Sequence, residues 1–328
     1  MVGMRTCICA LLCVLTFGTL LGNPFDLAMR SQITVHMRYD AMIQHYQSKN
    51  WGKLVFASQN LIADFPDSPF AREGHYYLGL AYYKLGEYEY ANCAFSDYLR
   101  TELSPKFFDE VIHCKFEIAQ GFEGGARTRL FGWRRMPKWL SAYEDALAIY
   151  DEVITALPRD DLAARSLYRK GALLLRMKKY KASVEAFSTL IRRFPKHALS
   201  PEGYLGIAEV YLTQCEDEFA DTDRLDLLEV NLRKFRSHFP GDSRIVDVEN
   251  ILLRVKERLA EDLFEVAEFY VRTKKNRPAN IYYSTIIKKY PETKVATKSQ
   301  KRLEKLGLSE MSFDRKDDKK EIIVDTNE

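Results

Sequence analysis

Glycine and proline are scarce in this chain, 16 and 11 residues of 328. A many-stranded sandwich needs more turn residues than that, so the composition favours long helices joined by short turns. Charge of one sign is also lacking. The net charge of +3 is too near balance for the basic stripe that binds nucleic acid. Long apolar runs are absent apart from Ile8–Leu21, whose 14 residues fall short of the roughly 20 that span a bilayer. Cysteine is sparse, with three of the six (Cys7, Cys9, Cys13) inside that run. The other three, Cys93, Cys114 and Cys215, are widely spaced, fit small apolar helix positions, and allow one disulfide but no disulfide framework.

Chemistry-bearing motifs are missing as well. There is no CxxC for zinc, no HExxH, no GxGxxG and no P-loop; "GFEGGA" (121–126) lacks both the lysine and a preceding strand. His113 and Cys114 are adjacent and would point about 100° apart on a helix, so they cannot pair as base and nucleophile. His75, His197 and His238 fall near expected helix ends, where surface and capping roles are common. The expectation is a non-enzyme without metal or cofactor.

What is present begins with an export signal. Arg5 precedes the apolar run, and residues 1–22 read as a signal peptide, with an uncleaved anchor as the alternative. Leu20-Leu21-Gly22 has the form of the run before a lipidated cysteine, but Asn23 follows.

Beyond it a period emerges. Phe65-Pro66-Asp67-Ser68, Leu157-Pro158-Arg159-Asp160, Phe194-Pro195-Lys196, Phe239-Pro240-Gly241-Asp242 and Tyr290-Pro291-Glu292-Thr293 share one signature between amphipathic stretches. Proline stops a helix, and the Asp, Ser or Thr after it can cap the next. Gly86 is placed to end a helix. Past it, Tyr88, Ala91, Phe95 and Tyr98 recur at helical spacing.

The spacing resembles the tetratricopeptide repeat, a unit of about 34 residues. Gly79, Tyr82, Ala91 and Phe95 fit its register, as do Gly171, Leu174, Ser183, Phe187 and Pro195, and Ala267, Tyr270, Ala279, Tyr283, Ile286 and Pro291. Degenerate units fall at 31–66 and 199–240. The expected fold is all-α, a right-handed tetratricopeptide solenoid of about five to six helical hairpins over residues 23–310. A basic and aromatic insertion interrupts it at 121–139, and a charged tail at 311–328 reads as disordered.

A closer resemblance lies at the C-terminus. Arg258-Leu259-Ala260, Val266-Ala267-Glu268-Phe269-Tyr270 and Tyr290-Pro291-Glu292-Thr293 are similar to the last repeat of the BamD family of outer-membrane assembly lipoproteins. "FPDSPFAREGHYYLGLAYYKLGEYEYA" (65–91) is similar to its second repeat. The resemblance implies a scaffold on the periplasmic face of the outer membrane. Its partners would be a large β-barrel assembly subunit with periplasmic repeat domains, and unfolded outer-membrane proteins. Two departures stand out: Asn23 replaces the family's lipidated cysteine, and Thr273-Lys274-Lys275-Asn276-Arg277 replaces its usual Arg-Gly turn.

Candidate binding residues follow from this frame. A peptide groove would be lined by Glu73, Tyr76, Leu80, Tyr83 and Lys84, and by Arg165, Tyr168, Leu175 and Arg176. Exposed tyrosines suit partly apolar peptide, though Tyr76 and Tyr83 could equally pack between hairpins. Arg258, Arg272, Lys274, Lys275 and Arg277 would face an acidic partner, or simply be solvated at a helix end. In the insertion, Arg127, Arg129, Trp133, Arg134, Arg135 and Trp139 would meet an anionic membrane surface or a partner, unless the tryptophans fold back.

Overall fold

A computed structural model describes residues 35–101, 103–129, 136–218 and 222–307. The expected signal peptide, Asn23 and the charged tail at 311–328 lie outside the described residues. The chain divides into two compact units, one ending at Ala142 and the other beginning at Tyr143.

The first unit holds α1 (Val35–Gln47), α2 (Trp51–Asp64), α3 (Pro69–Lys84), α4 (Tyr88–Thr101) and α5 (Phe108–Glu123), then a short hairpin of β1 (Arg127–Arg129) and β2 (Lys138–Ser141). The second holds α6 (Tyr143–Ala156), α7 (Asp161–Arg176), α8 (Tyr180–Arg193), α9 (Ser200–Asp217), α10 (Thr222–His238), α11 (Arg244–Arg272), α12 (Asn276–Lys289) and α13 (Lys294–Lys305).

Helix ends fall where the sequence signals them. Ser68 Oγ accepts from Phe70 N at 3.2 Å, Asp160 Oδ1 from Leu162 N at 2.8 Å, and Thr293 Oγ1 from Ala296 N at 3.1 Å. Each occupies an orphan donor at a helix start. Gly86, at φ 72°, closes α3. Glu87 N donates to Tyr82 O at 2.9 Å and Gly86 N to Tyr83 O at 3.0 Å, satisfying carbonyls of the last turn. The equivalent turn positions after α1, α7 and α11 carry Lys49, Lys178 and Lys274, at φ 53°, 56° and 59°. These lysines occupy the left-handed region at a steric cost that glycine avoids.

Successive helices pair as antiparallel hairpins: α1 with α2, α3 with α4, α7 with α8, α9 with α10, and α11 with α12. The register residues explain the close approach. A Cβ on Gly79 would lie 2.6 Å from the ring of Phe95, which is fully buried. Phe187 is held from two sides: Cβ atoms on Gly171 and Gly206 would lie 2.8 and 2.7 Å from its ring. Glycine on α7 and α9 thus lets one aromatic of α8 fill the space between them. Burying that ring contributes about 1.5–3 kcal/mol. Ser183, the second small residue, donates its hydroxyl to Gly171 O at 2.7 Å.

Helix α11 is long, 29 residues, because nothing between Arg244 and Arg272 breaks it. Its first half buries Val248, Ile251 and Val255 with α9 and α10; its second half buries Ala267 with α12 and α13. One helix therefore belongs to two successive hairpins. Among the described residues no helix is long and apolar enough to cross a membrane.

Candidate docking surfaces

On α3 the expected groove positions mostly face neighbouring helices. Tyr76 is only 9% exposed and stacks on Phe107, centroids 4.1 Å apart. It is a core residue, which corrects its placement in a groove: its ring fills the gap to the segment before α5. Glu73 accepts from Tyr39 Oη at 2.6 Å and pairs with Lys106 Nζ at 3.4 Å. Tyr83 donates to Glu117 Oε2 at 2.5 Å. Leu80 is half-buried, and Lys84 is exposed with its ammonium 5.1 Å from the Tyr83 ring.

On α7, Arg165 and Arg176 are exposed near opposite ends. Arg165 pairs with Asp161 at 2.6 Å, and Arg176 stands 5.1 Å from the Tyr143 ring. Tyr168 and Leu175 are half-buried against the cluster around Phe187 and Ile207. The α3 and α7 sets belong to different units.

In the insertion the structure separates the expected residues. Arg129 is not a free surface cation; its guanidinium donates to Glu87 Oε2 at 2.6 Å and Oε1 at 3.1 Å. Lys138 Nζ donates to Gly86 O at 3.1 Å and pairs with Glu87 at 3.2 Å. Arg129 above all, and Lys138 after it, hold the Glu87 carboxyl below the usual carboxylate range. The hairpin is thereby fastened to the α3–α4 turn. Arg127 is exposed and Trp139 is 66% exposed. Trp133, Arg134 and Arg135 lie outside the described residues.

At the C-terminal turn, Arg272, Lys274, Lys275 and Arg277 are all exposed around one helix junction. Arg258 is not with them. It lies 14 residues back, about 21 Å along α11, and faces Glu261 and Asp262 at 3.8 and 3.5 Å. Beside Arg272 runs a groove of about 600 Å³, lined by Leu259, Leu263, Val266, Phe269 and Tyr290. Val266 is 37% and Phe269 52% exposed. The sequence reading missed both as surface residues. The signal was there: Ala267 and Tyr270 take the inward register, so their neighbours Val266 and Phe269 must turn outward. A second groove, about 570 Å³, runs over α8, α9 and α10, with Tyr211, Leu227 and Val230 on its wall and Arg192 and Lys234 among its lining cations.

The histidines and cysteines take different places. His75 lies inside α3 rather than near its end, with Nδ1 buried and unpartnered, and burial lowers its pKa. His197 lies in the turn before α9, accepting from Leu199 N at 3.0 Å. Cys93 is exposed, Cys114 half-buried and Cys215 buried. Burial pushes the Cys114 thiol up to about 11, away from nucleophilic reactivity. Among the described residues no group of His, Cys, Asp and Glu could hold a metal ion.

Hairpin pairing, glycine–aromatic contacts and helix caps define an all-α tetratricopeptide-repeat protein, and residues 165–197 match the tetratricopeptide repeat family directly. Residues 220–317 match the family described as outer membrane lipoprotein, the BamD-type family, so the chain is BamD-like across its C-terminal hairpins. No curated protein matches the chain. Among solved structures, a tetratricopeptide repeat protein from Parabacteroides merdae is similar at 11% identity, covering 77% of this chain and 91% of that one, TM-score 0.35. A thermophilic tetratricopeptide protein of Thermus thermophilus is similar at 16% identity, covering 67% and 100%, TM-score 0.31. YrrB, described as having an unusual peptide-binding site, is 12% identical over 70% and 98%, TM-score 0.36.

Proposed function

We propose that the protein is a non-catalytic, periplasm-facing scaffold of outer-membrane β-barrel assembly. It docks through its C-terminal hairpins on the barrel-forming subunit, and its remaining repeats receive unfolded barrel substrate. One observation carries the reading. The stretch matching the outer membrane lipoprotein family, 220–317, contains the apolar groove at Val266 and Phe269 with the basic turn at its edge. An exposed aromatic beside a row of cations suits a partner that is apolar at its centre and acidic at its rim.

The test is crosslinking in intact cells, followed by isolation from detergent-solubilised envelopes. A large barrel protein with repeated periplasmic domains should co-purify, and Phe269→Ala together with Arg272→Glu should reduce its recovery at least ten-fold, the order of a hot-spot loss. Recovery of the protein in a soluble fraction with no barrel component would overturn the reading in favour of a periplasmic tetratricopeptide adaptor or chaperone of another complex.

A further inference from the structure

The lysines of α13 form a line along one face of the helix. Lys294, Lys298, Lys301 and Lys305 are all exposed, and among the described residues none pairs with a carboxylate. They follow one another at spacings of four, three and four residues. At about 100° per residue they fall within about 60° of arc, in a row about 16 Å long. The buried residues Val295, Ala296, Ser299 and Leu303 form the opposite face, packed on α11 and α12. Among the described residues no further helix covers the lysine side. Some exposed cations of this unit are answered by carboxylates, Lys179 by Glu144 and Arg254 by Glu216.

We infer that this row is a contact for an anionic lipid surface. Three features select lipid over a protein partner. The row is lysine only, and lysine is a compact point charge, depleted at protein interfaces, where arginine and aromatics are enriched. No large apolar side chain stands among the four, so nothing is there to fill a partner's pocket. The row is straight and one helix long, a shape that meets a flat, diffuse sheet of charge along its whole length. Lysines near such a surface act nearly independently, each improving partitioning roughly five-fold, so the four together contribute several-hundred-fold. The attraction falls with salt over a Debye length. The groove at Val266 and Phe269 is a separate feature, and this inference does not depend on what that groove binds.

The test is amine labelling of the full chain, with each lysine read separately by mass spectrometry. It is done with vesicles of phosphatidylglycerol in phosphatidylethanolamine, and again with phosphatidylcholine alone. Reading each lysine separately keeps any binding by the apolar N-terminal run from being mistaken for this contact. Anionic vesicles should protect Lys294, Lys298, Lys301 and Lys305 about ten-fold or more, in keeping with the multiplied gain, and high salt should abolish the protection. Exposed Lys181 and Lys196 serve as unprotected references. Changing all four to glutamine should remove the excess binding to anionic over neutral vesicles, while changing all four to arginine should keep it. Equal labelling with both vesicle types overturns the inference. So does protection only by an acidic protein from the envelope, which would make the row a protein contact. Neither result bears on whether a barrel component co-purifies.

Discussion

The clamp on Phe187 offers the sharpest test of why these hairpins pack as they do. Glycine in a helix interior costs about 1 kcal/mol relative to alanine. On propensity alone, Gly171→Ala and Gly206→Ala should each stabilise. The packing opposes this. The new Cβ would sit 2.8 or 2.7 Å from a ring that is 2% exposed, and the other glycine's backbone closes on the same ring. Overpacking of this kind costs about 1–3 kcal/mol. The net result is a destabilisation of up to about 2 kcal/mol for each single variant. The double variant should depart from the sum, since both new Cβ atoms then press on the same ring. Shrinking the ring reverses the sign: in a Phe187→Leu background either alanine should stabilise by up to about 1 kcal/mol, the propensity term alone. Gly52→Ala, where a Cβ meets nothing within 4 Å, supplies the unclashed control. Urea unfolding followed by far-UV circular dichroism measures each value. All three tryptophans precede residue 143, so their fluorescence reports the first unit and separates its transition. Stabilisation by Gly171→Ala with Phe187 intact, unchanged by Phe187→Leu, would refute the packing argument.

Lys274→Gly and Lys49→Gly should each stabilise by about 0.5–1 kcal/mol in the same assay, because the backbone there is left-handed; Lys178→Gly should gain less, since it forfeits the pair with Asp217 at 2.9 Å. His75 has its pKa lowered in the folded state by burial, with the Asp97 charge acting in the opposite sense. The unfolded chain therefore binds the proton more readily, and stability should fall as pH drops through about 6.5 toward the folded value. Denaturation midpoints from pH 8 to pH 5 should show this slope, and His75→Leu should flatten it. Glu87→Gln removes the acceptor that holds Arg129 and Lys138. Trypsin should then cut after Arg127, Arg129 or Lys138 several-fold faster, and an unchanged rate would mean that the ion pair does not fasten the hairpin.

Local signals made much of this protein readable from sequence. Ser68, Asp160 and Thr293 start helices, and Gly86 ends one, because capping and left-handed backbone depend on residues only a few positions away. The pairing of Gly79 with Phe95 and Gly171 with Phe187 was readable for a related reason: a repeating hairpin brings fixed sequence separations into contact.

Which side chains face water was decided only by the tertiary structure. Tyr76 and Phe269 are both aromatics on amphipathic helices, yet one is stacked beneath Phe107 and the other stands exposed. Arg129 looked like a free cation because its partner, Glu87, lies 42 residues earlier in the chain. Burial and ion pairing depend on what a distant segment brings alongside, and that information resides in the packed helices rather than in the order of residues along any one of them.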